Sequence, residues 1–317
     1  MAFLDDIAMM FGRAPRKPRE VSDAAEILHG RKRKTHVTQL LEMARSRTPR
    51  HTWRNRRWAV LIGVNLLFTL SYWLDIQIVE GSLTASRFLG FHLADVYSSF
   101  LVILAQKHVA VNLVIGSVTV MVLWGLLGGR AYCSWVCPYH LVAELGEKLH
   151  VALAARGIVQ DHVLHRGVRS VLWVVFAALA FITGYTLFLT LNPIGILSRA
   201  VVYGPSLALL WVLLLLAFEV VYSRRAWCRY ICPIGLTYGA IGAAAPVKVV
   251  YHLEACAHEG DCRKVCEVPH VLDLTIKGRA EDAMVDIGPD CTRCGLCVDV
   301  CPTESLRYEV KGLRNLL

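Results

Sequence analysis

No Cys-x-x-Cys-His segment occurs anywhere in the 317 residues, which excludes covalently attached c-type haem. Histidines do not recur near the middle of two apolar runs, which argues against a haem held between two buried histidines. Nor do the opening residues read as a cleavable signal peptide. Met1–Phe11 carries Asp5 and Asp6, has no long apolar core, and leads into bases instead of a small-residue cleavage site. Polarity is scarce: charged residues make up 19% against 55% hydrophobic, and the mean hydropathy is +0.46. That is too apolar for an ordinary soluble domain.

What charge there is has a direction. The net +9 does not read as nucleic-acid binding, because the densest run, Arg31-Lys32-Arg33-Lys34, has no aromatics between its bases. It reads as a solvated tail against anionic lipid headgroups. Four apolar stretches, about 57–76, 109–129, 169–191 and 206–223, have the length expected of membrane spans. Lys plus Arg number 14 up to Arg57, 2 over 79–108, 5 over 130–169, 1 over 192–205 and 12 over 224–317. Basic and poor segments alternate, so a multi-pass protein of a bacterial inner membrane is expected, with both termini cytoplasmic and 79–108 and 192–205 facing the periplasm. The expected fold is membrane all-α: four transmembrane helices built as a duplicated two-helix unit, with a small C-terminal two-box ferredoxin domain. The expected divisions are a basic extension over 1–56, a helical domain over 57–248 and a ferredoxin-like domain over 249–317. Glu219, inside the fourth stretch, is either a costly buried carboxylate serving proton movement or a solvated one near the interface.

All eleven cysteines fall in the segments assigned to the cytoplasm, in tight groups. Such grouping in a reducing compartment reads as metal ligation, not disulfides. The strongest group is Cys291-x2-Cys294-x2-Cys297-x3-Cys301-Pro302. Three thiolates at this spacing hold one [4Fe–4S] cube and the fourth normally serves a second cluster. Zinc sites instead separate their cysteine pairs by a longer spacer. The upstream box, Cys256-x2-Glu259-x2-Cys262-x3-Cys266, has Glu259 where the second cysteine would stand. If the boxes cross-ligate, Cys266 completes a cluster with Cys291, Cys294 and Cys297, and Cys256, Cys262 and Cys301 are left with an open corner. Glu259, His258 or Asp261 then supplies the fourth ligand, or the site holds [3Fe–4S], or it is lost.

Two further boxes form an internal repeat. Arg130-Ala-Tyr-Cys133-Ser-Trp-Val-Cys137-Pro138 matches Arg225-Ala-Trp-Cys228-Arg-Tyr-Ile-Cys232-Pro233, and Ser86-Arg87 and Ser198-Arg199 give a weaker echo. Positions i and i+4 share a helix face, so each box can present two thiols together, with the proline at a helix end or turn. Side-by-side packing would gather Cys133, Cys137, Cys228 and Cys232 into a four-thiolate cage. That cage suits a third iron–sulfur cluster; a dithiol redox site, another metal or an inert structural role are the other readings.

Two spans, a C-x3-C-P box, two more spans, a second such box and two ferredoxin boxes resemble the NapH family of membrane ferredoxins, with MauN as a close relative. The resemblance runs from about Arg54 to Tyr308 and is carried by Cys133-Ser-Trp-Val-Cys137-Pro138, Cys228-x3-Cys232-Pro233, Pro269-His270-Val271-Leu272 and Cys294-Gly-Leu-Cys297-Val-Asp-Val-Cys301. It implies oxidation of quinol from the quinone pool and delivery of electrons toward a periplasmic reductase, through a NapG-like iron–sulfur protein or a cytochrome c. Arg87 or Arg199 would be candidates to hold the quinone oxygens, or plain polar loop residues. Glu259 in place of a cysteine and the basic extension depart from the family pattern. Competing functions are a metal-handling maturation protein of the CcoG type and a docking subunit without quinone chemistry.

Overall fold

The computed structural model describes residues 7–15, 18, 21–32, 51–74, 79–82, 85–88 and 91–311. Arg33 and Lys34 of the basic run lie outside these residues, as does the rest of the extension to residue 50. Helix α1 (Asp23–Lys32) precedes α2 (Thr52–Trp73), and a three-stranded antiparallel sheet follows: β1 (Val79–Ser82), β2 (Ala85–Phe88) and β3 (Phe91–Ala94). Then come α3 (Val96–Gln106), α4 (Val111–Leu127), the short α5 (Ala131–Trp135) and α6 (Pro138–Ala155). The second half repeats this plan with α7 (Gly167–Thr183), α8 (Leu187–Leu191), α9 (Pro193–Tyr203), α10 (Leu209–Val221), a π-helical turn (Trp227–Ile231) and α11 (Pro233–Gly242).

The two halves are interlocked. Helix α3 of the first half packs on α7 and α11 of the second, and α9 of the second packs on α2 and α6 of the first. The long helices cross over in the same way, α10 against α6 and α4 against α11. The matching positions are set by capping residues. Asp95 accepts from the Ser98 N–H at 2.8 Å to start α3, and Asn192 accepts from the Ile194 N–H at 3.1 Å to start α9. Both caps are buried, and they replace the Ser86-Arg87 and Ser198-Arg199 echo: Arg87 stands exposed on β2, and Arg199 donates to Gly195 O within its own helix.

Four transmembrane helices are not seen. Among the described residues no helix is long and apolar enough to cross a membrane. Helix α2 has 22 residues but opens Thr-Trp-Arg-Asn-Arg-Arg, and α4, α7 and α10 have 17, 17 and 13 residues. At about 1.5 Å per residue the longest of these three reaches roughly 26 Å, short of a hydrocarbon core of about 30 Å. The apolar runs outlast the helices. Gly128 (φ 121°) ends α4 and Gly184 (φ 68°) ends α7, and the apolar residues beyond Gly184 turn into the separate short helix α8.

The C-terminal module is an antiparallel sheet with β4 (Val247–His252) between β5 (Met284–Asp286) and β6 (Leu306–Val310), carrying the one-turn helices α12 (Asp261–Lys264) and α13 (Leu296–Val300). Val250 pairs with Asp286 on one side and Arg307 on the other. Its core gathers Val249, Tyr251, Leu253, Leu272, Ile287 and Leu306, and Ala25 of α1 enters it. The N-terminal extension therefore touches both parts of the molecule. His29 Nε2 lies 3.0 Å from Ala280 O in the module, while Met10 is buried over Gly239 of α11 and its carbonyl accepts from Arg169 at 3.0 Å.

Candidate iron–sulfur sites

The sheet and the 3-10 turn Pro269–Thr275 enclose a cavity of about 360 Å³, open solvent at its mouth included, lined by Cys266, Cys291, Cys294 and Cys297 with Val249, Leu272 and Ile287. Cys266 comes from the first box and the other three from the second. Burial pushes the Cys294 thiol up to about 12, with Glu267 adding to the rise and Arg57 opposing it. A metal that takes such a thiol displaces its proton. The Arg293 N–H donates to Cys291 Sγ at 3.4 Å, a bond suited to a thiolate. A soft, dry, four-thiol lining fits an iron–sulfur cube.

A second cavity is lined by Cys256, Cys262 and Cys301 with His258, Glu259 and Asp261. Cys301 Sγ takes the Ser305 N–H at 3.3 Å, and Cys256 Sγ takes the His258 N–H at 3.3 Å. Of the three candidates for a fourth ligand, His258 gives its Nδ1–H to Thr275 O at 2.9 Å, the kind of bond a metal-ligating histidine makes with its other ring nitrogen, and Asp261 holds Lys264 at 2.9 Å. Glu259 stands at the box position where a cysteine would ligate, and its side chain lines the cavity with the three thiols. Glu259→Ala is expected to change the EPR spectrum of this site and Glu259→Cys to convert it to an all-thiolate signal. An identical spectrum in both variants would mean that Glu259 is not a ligand of the site.

The repeated boxes meet in the bundle core, where Cys133, Cys137, Cys228 and Cys232 share one apolar cluster with Tyr132, Tyr139, Trp227 and Tyr238. Burial raises the Cys137 and Cys228 thiols, with Cys133 and Cys232 adding to the rise at Cys137, and Glu219, Cys137 and Cys232 at Cys228. Burial pushes the Cys232 thiol up to about 12, Cys133 adding to it. Neither box is one helix with two thiols on a face. Cys133 lies in α5 and Cys228 in the π turn, while Cys137 and Cys232 are the extended residues that start α6 and α11 (ψ 118° and 111°), with Pro138 and Pro233 at the first helical position. Gly129, at φ 59°, lets the first box approach α11; a Cβ there would collide with the Tyr238 carbonyl. Among the described residues no three ligating side chains stand close enough to hold one metal ion. Glu219 positions the second box: buried, it accepts the Trp227 N–H at 2.8 Å and so fixes the start of the π turn.

Charged residues that the sequence did not single out join these sites. Glu267, next to Cys266, is gripped by Arg57 of α2 at 2.6 Å and lies 3.4 Å from Arg225, which opens the second box. His140 Nε2 lies 3.0 Å from the same oxygen, Arg57 also bonds Glu144, and Arg225 holds Glu147 at 2.5 Å. Asp290, next to Cys291, is gripped by Arg130, which opens the first box, at 2.6 Å, by Arg169 of α7 at 2.9 Å and by His270 at 2.9 Å. The two clamps are counterparts: each takes one arginine from the first long helix of one half and the box arginine of the other half. Burial alone would raise both carboxyls. His140, Arg225 and Arg57 instead hold Glu267 well below the usual carboxylate range, and Arg169, Arg130 and His270 do the same for Asp290. The sequence does carry one signal for the clamps, since Arg130 and Arg225 stand at the same offset before the first cysteine of each repeat. Arg87 and Arg199 line neither cavity.

Comparison with known proteins is consistent with this geometry. A family described as "4Fe-4S binding domain" matches twice in the bundle, over residues 109–154 and 203–248, and a second of the same description matches residues 289–307. The ferredoxin-type protein NapH of Escherichia coli is 31% identical over 258 residues, covering 78% of this chain and 88% of the relative. The methylamine utilization ferredoxin-type protein MauN of Paracoccus denitrificans is 33% identical over 224 residues (69% and 75%). MauN of Methylorubrum extorquens is 29% identical over 268 residues (83% and 90%). No solved structure matches.

Proposed function

The chain belongs to the family of NapH and MauN ferredoxin-type proteins, which are electron-transfer proteins with 4Fe–4S domains, and from that premise we propose that it takes electrons from quinol and passes them toward a periplasmic reductase. The observation that carries the reading is Arg130. It stands three residues before Cys133, its guanidinium packs over Gly235 just past Cys232, and it grips Asp290, the neighbour of Cys291. Thiols of the bundle and thiols of the module thus lie on either side of one buried side chain. When bound, the clusters would supply one-electron steps, splitting the two electrons of a quinol. The protein's own residues then hold three sites in sequence: the cage, the four-cysteine cavity and the cavity with Glu259.

A setting at the inner membrane accords with the outer faces of the bundle. Ile115, Val118 and Val122 of α4, Val171 and Val174 of α7, and Leu210, Leu213 and Leu214 of α10 are all exposed. An apolar surface of this extent calls for a cover, and lipid is the cover this reading assigns. The partner outside would be an iron–sulfur protein or a c-type cytochrome.

The test is anaerobic purification in detergent followed by addition of a quinol analogue. Reduction of the clusters, followed by EPR, supports the reading. Reduction of copper or thiols with no response to quinol would overturn it. Cys133→Ser is expected to lower the iron content by one cluster and to abolish reduction by quinol while leaving the signals of the module; unchanged iron would remove the cage from the chain of sites.

A further inference from the structure

Three of the six residues between the cysteines of the two boxes reach the module. Ser134, fully buried, donates its hydroxyl to Thr292 O at 2.7 Å, and the Trp135 indole N–H donates to Arg293 O at 2.9 Å. Thr292 and Arg293 are the two residues between Cys291 and Cys294. From the other box, Arg229 donates from Nε to Glu267 O at 2.6 Å and from an Nη to Cys266 O at 3.5 Å. Both chain segments that supply thiols to the four-cysteine cavity are therefore hydrogen-bonded at their backbone to residues one or two positions from a cage thiol.

Docking alone does not explain these bonds. The module is already held by the two arginine clamps, and Asp299, between Cys297 and Cys301, accepts the Trp53 and Arg54 N–H groups at the start of α2 at 3.0 Å each. Ser134, Trp135 and Arg229 instead lie inside the boxes, and all their module partners are carbonyls of the ligand loops.

We propose that Ser134, Trp135 and Arg229 are the positioning residues of an electron bridge between the cage and the four-cysteine cavity. The inference rests on the reading that each site holds a cluster. One electron leaves the cage site, which is oxidised, and enters the cavity site, which is reduced; no bond is broken and no proton is required. Electronic coupling decays faster through empty gaps than along bonded paths. A short path of covalent and hydrogen bonds, Cys133 to Ser134 to the Thr292 carbonyl to Cys291, therefore favours the transfer, and rigid bonds at both loops keep the separation fixed.

The test uses the full chain in detergent. Ser134→Ala deletes the hydroxyl on the short path, Arg229→Gln removes the contact from the other box, and Trp173→Phe is the control, since it removes an indole bond to Thr237 within the bundle. Iron and sulfide per chain, the EPR magnetic interaction between the two reduced sites, and the rate at which an electron delivered to one reaches the other are measured. We expect unchanged iron in both bridge variants, a weakened magnetic interaction and a transfer rate several-fold slower, with Trp173→Phe like the parent. Iron intact with interaction and rate unchanged in both bridge variants would overturn the bridge while leaving the cage reading in place. If instead the parent protein shows no signal that Cys133→Ser removes, the cage reading falls and the bridge with it. Should Ser134→Ala fail to fold, Trp135→Phe tests the second bond of the same loop.

Discussion

Glu267→Gln is expected to destabilise the docking of the C-terminal module by about 3–5 kcal/mol, the cost of breaking a buried ion pair from one side. Arg57 is fully buried and Arg225 2% exposed, and both lie against this carboxylate. Neutralising it leaves two guanidinium charges in a dry site with only Glu144 and Glu147 to balance them. Asp290→Asn should act alike on Arg130 and Arg169, and the double variant should release the module. Limited proteolysis between residues 243 and 256, with denaturant titration of the cluster absorbance, would measure the effect; wild-type midpoints in both single variants would show that the clamps contribute nothing. The same carboxylates set an acid limit. Both have folded-state pKa values below their unfolded ones, so the unfolded chain binds protons first as pH falls. Their stabilisation is complete above the ordinary carboxylate value of about 4 and is lost as pH drops below it toward the folded values. Docking stability should thus be level near neutrality and fall steeply under acid, and Glu267→Gln should flatten that fall.

Much of this is legible in the sequence alone. Cysteine spacing pointed to the thiols that would bind iron and suggested how the two ferredoxin boxes exchange ligands, because ligand spacing is a local property that the chain states outright. Arg57 and Arg169 are not legible, for the opposite reason. Arg57 and Arg169 belong to the ends of apolar runs, where a positive charge reads as a loop marker, and only the crossed packing of α7 and α2 brings them to Asp290 and Glu267. The helix lengths were misjudged because composition does not register where a backbone turns. Leu187–Leu191 is as apolar as the helix before it, yet Gly184 sets it on a new axis. The extension offered charge but no apolar pattern, so the burial of Met10 and Ala25 could not be foreseen.

Loss of the cluster from the four-cysteine cavity should have the second large effect, on the fold of the module itself. Cys266 and Cys291 are about 25 residues apart, and joining them through one cube closes that loop. By the loop-closure arithmetic of a cross-link, such a closure is worth about 3 kcal/mol. A module of this size buries too little apolar surface to spare it. Its core residues Val249, Leu272 and Ile287 line the same cavity the cluster would fill, so removing iron also strips their packing partner. Cys294→Ser, or chelation of iron under oxidising conditions, is therefore expected to make β4–β6 protease-sensitive while the bundle, whose core of Tyr97, Phe188 and Ile194 is separate, keeps its helical circular dichroism. Because Asp299 holds the start of α2 and Glu267 holds Arg57, collapse of the module should also loosen the first turns of α2, visible as faster amide exchange over residues 53–57. A module that stays protected without iron would mean that its clusters are passengers and that the arginine clamps alone maintain it.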